Sequence, residues 1–165
     1  MDAPDAALLL VRVAIGLTVA AHGIPKLKSL AGTAGWFDSI GMRPGALHAR
    51  AAGGGEVLAG VFLAAGLLTS FAALGVVALM VVAGWTSHRH NGFFIISEGW
   101  EYTFVLAVIA VTIAMLGPGE ISIDRALGID TDLHGWLGGA IALGGGVAGG
   151  VAFLAAFYRP PASDA

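Results

Sequence analysis

FAALGVVALMVVAGWTS, residues 71–87, runs for seventeen residues without a charge. A hydrocarbon core about 30 Å thick takes roughly 17 to 25 apolar residues of helix. The run therefore reads as a membrane span. The whole chain agrees: 57% of its 165 residues are hydrophobic and 12% are charged. A soluble domain carries about twice that charge. Mean hydropathy is +0.85, and the class implied is a polytopic membrane protein in contact with lipid. The net charge of -3 excludes a basic nucleic-acid binder. With no cysteine, the chain has no disulfide, thiolate metal site or thiol nucleophile of its own.

Outward from this span, Thr69-Ser70 leaves room for a tight hairpin back to a second span at about 51–68. A first span runs from about Ala7 to Ile24 and is expected to stop at Pro25. A fourth covers about Tyr102 to Leu116, before Gly117-Pro118-Gly119, and a fifth about Trp136 to Tyr158, before Arg159-Pro160-Pro161. Asp2 and Asp5 make the start unlike a signal peptide, so the first span is expected to stay in the mature protein. The reading is one all-α membrane domain over 1–165: a four-helix bundle at 7–125 and an additional glycine-rich transmembrane helix at 136–158. In GGAIALGGGVAGG, Gly145 and Gly149 are four apart, as are Gly146 and Gly150. Such spacing lets backbones approach in lipid, within the bundle or against a second copy or a partner. In the first loop, Thr33 is expected to cap a short interfacial helix through Trp36, Phe37 and Ile40, ending at Gly41, and Pro44 to open the next helix.

With five spans, Lys26, Lys28, Arg43, Arg50, Arg89 and Arg159 share one side, and Arg12 and Arg125 the other. The positive-inside rule makes the first side cytoplasmic. On the opposite side Glu120 and Asp124 are expected to neutralise Arg12.

Polar groups gather toward the basic end. The first span brings His22 and Lys26, and the second brings Glu56. The third brings His88 and His90, and the fourth starts near Glu98 and Glu101. Lys26 is expected to snorkel, and Glu101 to complement a helix start. Glu56 lies inside its span, where a lone carboxylate costs a few kcal/mol, so a partner or a proton is expected there. Gly53, Gly54 and Gly55 let a helix or ligand approach it. The segment WTSHRHNGFFIISEGWEY, 85–102, mixes these charges with Trp85, Phe93, Phe94, Trp100 and Tyr102. It is expected to form one wall of a site, bringing Asn91 and Glu101 near His22. His88 and His90 are two apart and share no helix face, a weak metal motif, so no metal ligand is assigned. His48 and His134 fall in loops and receive no role.

These residues resemble the DoxX family of small bacterial membrane proteins. The matching pieces run in order: LLLVRVAIGLTVAAHGIPKL (8–27), GTAGWFDSIGM (32–42), GGGEVLAGVFLAAGLLT (53–69), HRHNGFF (88–94), GWEYTFVLAV (99–108) and GPGEISID (117–124). The resemblance implies a four-helix bundle in the bacterial cell membrane, linked to sulfur and redox metabolism and to oxidative-stress defence. It places His22, Lys26, Glu56, His88, Asn91, Gly92, Glu101 and Tyr102 on family positions. Glu120 departs from the basic residue of many relatives, and the fifth helix lies beyond the matched part.

Three functions fit. The first is a membrane subunit of a redox complex, with a quinone headgroup among His, carboxylate and aromatic groups and a partner redox protein for the electrons. The second is a scaffold that recruits soluble enzymes to the membrane. The third is a metal or small-solute site. The ligand-binding candidates are His22, Lys26, Glu56, His88, Asn91, Glu101 and Tyr102.

Overall fold

The computed structural model describes residues 2–130 and 133–160. α1 spans Ala3–Lys28, capped by the Asp2 side chain, which accepts from Asp5 N at 3.0 Å. It runs through Pro25 where a stop was expected. So close to the helix end the missing N–H removes one hydrogen bond, while Ser29 N still donates to Pro25 O at 3.0 Å. α2, Leu30–Ser39, follows at once. Thr33 does not cap it. Its N–H donates to Ser29 O, and its hydroxyl donates to Lys26 O at 3.3 Å, splicing α2 onto α1.

α3 spans Gly45–Ala65 and ends at left-handed Gly66, φ 63. α4 spans Thr69–Ala83 and continues as a π-helical turn, Gly84–His88, and a 3-10 turn, Arg89–Asn91. The hairpin is therefore Gly66–Leu68, and Thr69 and Ser70 are buried in α4. The residue that sets this boundary is remote in sequence. The Asp124 carboxylate accepts from Leu68 N at 2.7 Å, Thr69 N at 2.9 Å and the Thr69 hydroxyl at 2.7 Å. α5 spans Glu101–Leu116 and α6 Ile123–Leu127. α7, Gly135–Ala140, joins α8, Gly146–Phe157, through a π-helical turn into one rod. Pro161 lies outside the described residues.

The chain is all-helical. Among the described residues, three rods are long and apolar enough to cross a membrane: Ala3–Lys28, Thr69–Asn91 and Gly135–Phe157. α3 has 21 residues but carries Arg50 and Glu56, and α5 is apolar but has 16 residues. Val19, Leu63, Val76, Val77, Leu106 and Ile113 pack between α1, α3, α4 and α5.

Glycine sets two helix contacts. A Cβ at Gly16 would strike Gly60 O, and one at Gly60 would strike Gly16 O. A turn or two further on, Gly23 meets Gly53 O. α1 and α3 thus touch backbone to backbone. In the α7–α8 rod, Gly146 and Gly150 press on Val77 and Val81 of α4, so both are used within the chain, whereas side chains at Gly144 and Gly149 would meet open space.

Arg12 is buried, and its guanidinium donates to the carbonyls of Ala64, Pro118 and Ile121. Glu120 does not neutralise it. That carboxylate pairs with Arg125 at 3.3 Å, because the turn before α6 places Arg125 beside it. Asp124 does act on Arg12 through its charge, as expected, while its carboxylate oxygens also cap α4. At the other end Arg159 N donates to Gly41 O at 2.7 Å, and the Arg89 guanidinium reaches the Tyr158 hydroxyl at 3.4 Å. The ends of α2, α4 and α8 therefore meet.

Candidate functional site

Lys26 and Glu56 meet across the α1–α3 contact. With Gly23 level with Gly53, Lys26 lies at the height of residue 50, about 9 Å nearer the basic end than Glu56. Helical side chains lean toward their own N-terminus. α1 and α3 are antiparallel, so Lys26 leans inward and Glu56 leans outward. The ammonium lies 2.9 and 2.7 Å from the two carboxylate oxygens, and donates to His22 O at 3.1 Å. Lys26 thus does not snorkel: the nearest strong acceptor lies below it.

His22 and Tyr102 face one another from α1 and α5. The hydroxyl stands 3.5 Å from Nε2, long for a hydrogen bond, which leaves both groups free to take another partner.

Segment 85–102 is built into the fold. The Arg89 guanidinium stacks 4.2 Å over Trp85. Phe93 packs on Trp100 at 4.7 Å, and Trp100 on Phe104 at 5.8 Å. His88 Nδ1 lies 2.7 Å from Glu98 O. A carbonyl only accepts, so Nδ1 carries the proton and Nε2 of neutral His88 is left as an acceptor. Asn91 donates to the same carbonyl at 3.3 Å, and the Glu101 carboxylate accepts from Ile95 N at 2.8 Å. Phe94 and Ile96 stay exposed, Ile96 at 93%.

A cavity of about 850 Å³ lies between these elements. Its volume is within the range of small-molecule sites. His22, Lys26, Glu56, His88 and Tyr102 line it, with Glu98, Thr86 and Ser87. Asn91 and Glu101 are not among the lining residues: both are committed to holding backbone in the 92–101 turn. Among the described residues, no three His, Asp or Glu side chains gather as a metal ion would need.

The residue missed from the sequence is His48, which also lines the cavity. It is 1% exposed, and neither ring nitrogen has a hydrogen-bond partner. Phe153 and Phe157 of α8 stand edge-on to it at 5.3 and 5.1 Å, and Phe37 of α2 lies at 6.0 Å. α3 begins at Gly45, so His48 is in its first turn and not in a loop. One signal was present: His48, Ala52 and Glu56 follow at i, i+4, i+8, the stripe of one helix face.

The model of the DoxX family matches residues 7–89. The chain belongs to the DoxX family. The match covers α1 through the first turns after α4, and so includes His22, Lys26, His48, Glu56 and His88. The pieces at 99–108 and 117–124 lie beyond it. An uncharacterized protein of Haemophilus influenzae is 26% identical over 110 residues, covering 62% of this chain and 73% of that protein. No solved structure matches this DoxX chain.

Proposed function

We propose that this DoxX chain is a multi-pass protein of the bacterial cell membrane that binds a quinone in the cavity between its helices, as the membrane subunit of a redox complex. In this reading α1, α3, α4 and α5 are the spanning bundle and the α7–α8 rod is a fifth span. The observation that carries it is the convergence of His22, Tyr102 and the Lys26–Glu56 pair on one cavity of about 850 Å³ whose remaining lining is largely apolar. A flat apolar ring with oxygens at its edge suits such a lining.

A bound quinone supplies a carrier that takes up two electrons and two protons and releases them again. The chain's own groups bind and orient. The Tyr102 hydroxyl donates to a ring oxygen; neutral His22 protonated on Nε2 donates to the oxidised ring's carbonyl, and in the other tautomer accepts from the reduced ring's hydroxyl. The Lys26–Glu56 pair keeps charge near that oxygen, and Glu56 is the carboxylate that holds or passes a proton. A partner redox protein supplies the electrons. Phe94 and Ile96 rest in the lipid interface.

The test is purification into lipid nanodiscs, extraction of any bound quinone, and titration with ubiquinone and menaquinone analogues followed by the fluorescence of Trp36. Saturable binding that weakens in Tyr102→Phe and Glu56→Gln supports the reading. If neither quinone binds a folded wild-type protein, the quinone reading fails and recruitment of soluble enzymes takes its place.

A further inference from the structure

His48 is costly as it stands. Neither buried ring nitrogen has a partner, so each has given up its hydrogen bond to water without replacing it. An isolated core histidine would find a carbonyl or hydroxyl, whereas this one has three phenyl rings around it and the cavity beside it. Something that enters the cavity meets a nitrogen ready to bond.

We propose that His48 is a second ligand anchor: it hydrogen-bonds one oxygen of a ring ligand whose opposite oxygen is held at His22 and Tyr102. This rests on the quinone reading and adds to it where the second oxygen goes and how the ring enters. Level with residue 54 of α3, the His22 backbone lies about 9 Å along the helix axis from that of His48, and because each side chain leans toward its own N-terminus the two rings stand somewhat further apart than that. A six-membered ring with oxygens on opposite edges, and a hydrogen bond of about 2.8 Å at each end, spans a length of that order. Phe37 and Phe153 pack on His48 and line the cavity, so a flat ring bonded to His48 has aromatic neighbours at that pole.

The entry lies between α2 and α8. Trp36, 44% exposed, and Gly149, exposed and with open space where a side chain would be, both line the cavity. A lipid-soluble ring ligand with an alkyl tail enters there from the side, its tail remaining outside past Gly149. This explains a glycine that no helix contact requires.

The experiment is titration with an alkyl-tailed benzoquinone, decylubiquinone, in nanodiscs, for wild type, His48→Phe, Gly149→Phe and Gly144→Phe. Gly144 shares the helix and the open surroundings of Gly149 but does not line the cavity, so its variant is the matched control. His48→Phe is expected to weaken binding about tenfold, the size of one hydrogen bond, and to raise the melting temperature because two unpaired nitrogens leave the core. Gly149→Phe is expected to weaken binding at least as much, and Gly144→Phe to leave it unchanged. If wild type binds and Tyr102→Phe weakens binding while His48→Phe and Gly149→Phe do not, the second anchor is wrong, water satisfies His48, and the quinone reading stands. If wild type does not bind, both fall. Should His48→Phe fail to fold, the Gly149–Gly144 comparison decides alone.

Discussion

Lys26 Nζ lies 2.7 Å from Glu56 Oε2, with the two side chains 26% and 12% exposed. The pair bridges α1 and α3 where glycines already bring the backbones together. Removing one partner strands the other in a site with little water. Glu56→Leu is expected to destabilise by about 1–3 kcal/mol, below the cost at a fully buried pair because Lys26 keeps some water. Lys26→Met with Glu56→Leu should recover most of that loss. Thermal melts of the two single variants and the double variant in detergent measure it. Additive losses would mean that the two charges do not act as a pair.

The α1–α3 contact at Gly16 and Gly60 has no room for a side chain. Gly16→Val and Gly60→Val are each expected to cost about 1–3 kcal/mol or more, since the obstacle is a backbone carbonyl that cannot rotate away. Gly35→Ala meets nothing within 4 Å and is expected to be neutral or slightly stabilising. Equal melting temperatures for Gly16→Val and Gly35→Ala would show that the helices are further apart.

The apolar runs made the helices legible, because hydrophobicity over a whole span is a local property. Their ends were not local. Thr69 starts α4 because Asp124, more than fifty residues on, caps it, and α1 passes Pro25 because one lost bond matters little near Lys28. At the site, Glu56 was legible as a buried charge, but its partner depended on which way Lys26 leans. His48 was missed because its surroundings come from α2 and α8, remote in sequence. Asn91 and Glu101 were placed in the site because they are polar and near it in sequence; the turn between them uses both on its own backbone.

Orientation follows from the ends. Arg159 meets the α2–α3 turn and Arg89 reaches the adjoining Tyr158, so the six-residue basic group lies at one end, and Arg12 and Arg125 at the other. The end that carries the six basic residues is expected to be cytoplasmic. In intact cells, Ser39→Cys should resist an impermeant thiol reagent and Gly128→Cys should react. Thr131, a further position on the Gly128 side for a cysteine reporter by the sequence reading, lies outside the described residues. Labelling of Ser39→Cys alone would invert the topology.

Beyond the spans, the Arg125 guanidinium hydrogen-bonds Asp130 at 2.9 Å and holds its carboxyl below the usual range. A lowered folded value means the pair's contribution is complete above the unfolded carboxylate range. It is lost only as pH falls through the lower, folded value. The Asp130 carboxyl resonance is therefore expected to titrate below that of a free aspartate, and Arg125→Gln to return it upward. No change in that variant would assign the shift to something other than Arg125.

Glu101 and Tyr102 are neighbours in the chain with different expected effects. Glu101 is the first residue of α5, and its carboxylate reaches back to Ile95 N, tying the 95–97 turn to the helix start. Tyr102 turns into the cavity toward His22. Glu101→Ala should therefore loosen the 92–101 turn, seen as faster amide exchange at Ile95 and its neighbours, at about 1 kcal/mol, the usual size of a lost cap. It should leave quinone affinity within about twofold. Tyr102→Phe should do the reverse: exchange in the turn unchanged, because the ring still packs, and affinity reduced about tenfold through loss of one hydrogen bond. Asn91→Ala belongs with Glu101, since its amide serves the Glu98 carbonyl. If Glu101→Ala abolishes binding while the turn stays protected, Glu101 touches the ligand directly and the division drawn from the geometry is wrong. If Tyr102→Phe binds as wild type does, the His22–Tyr102 pole is not where the ring oxygen sits.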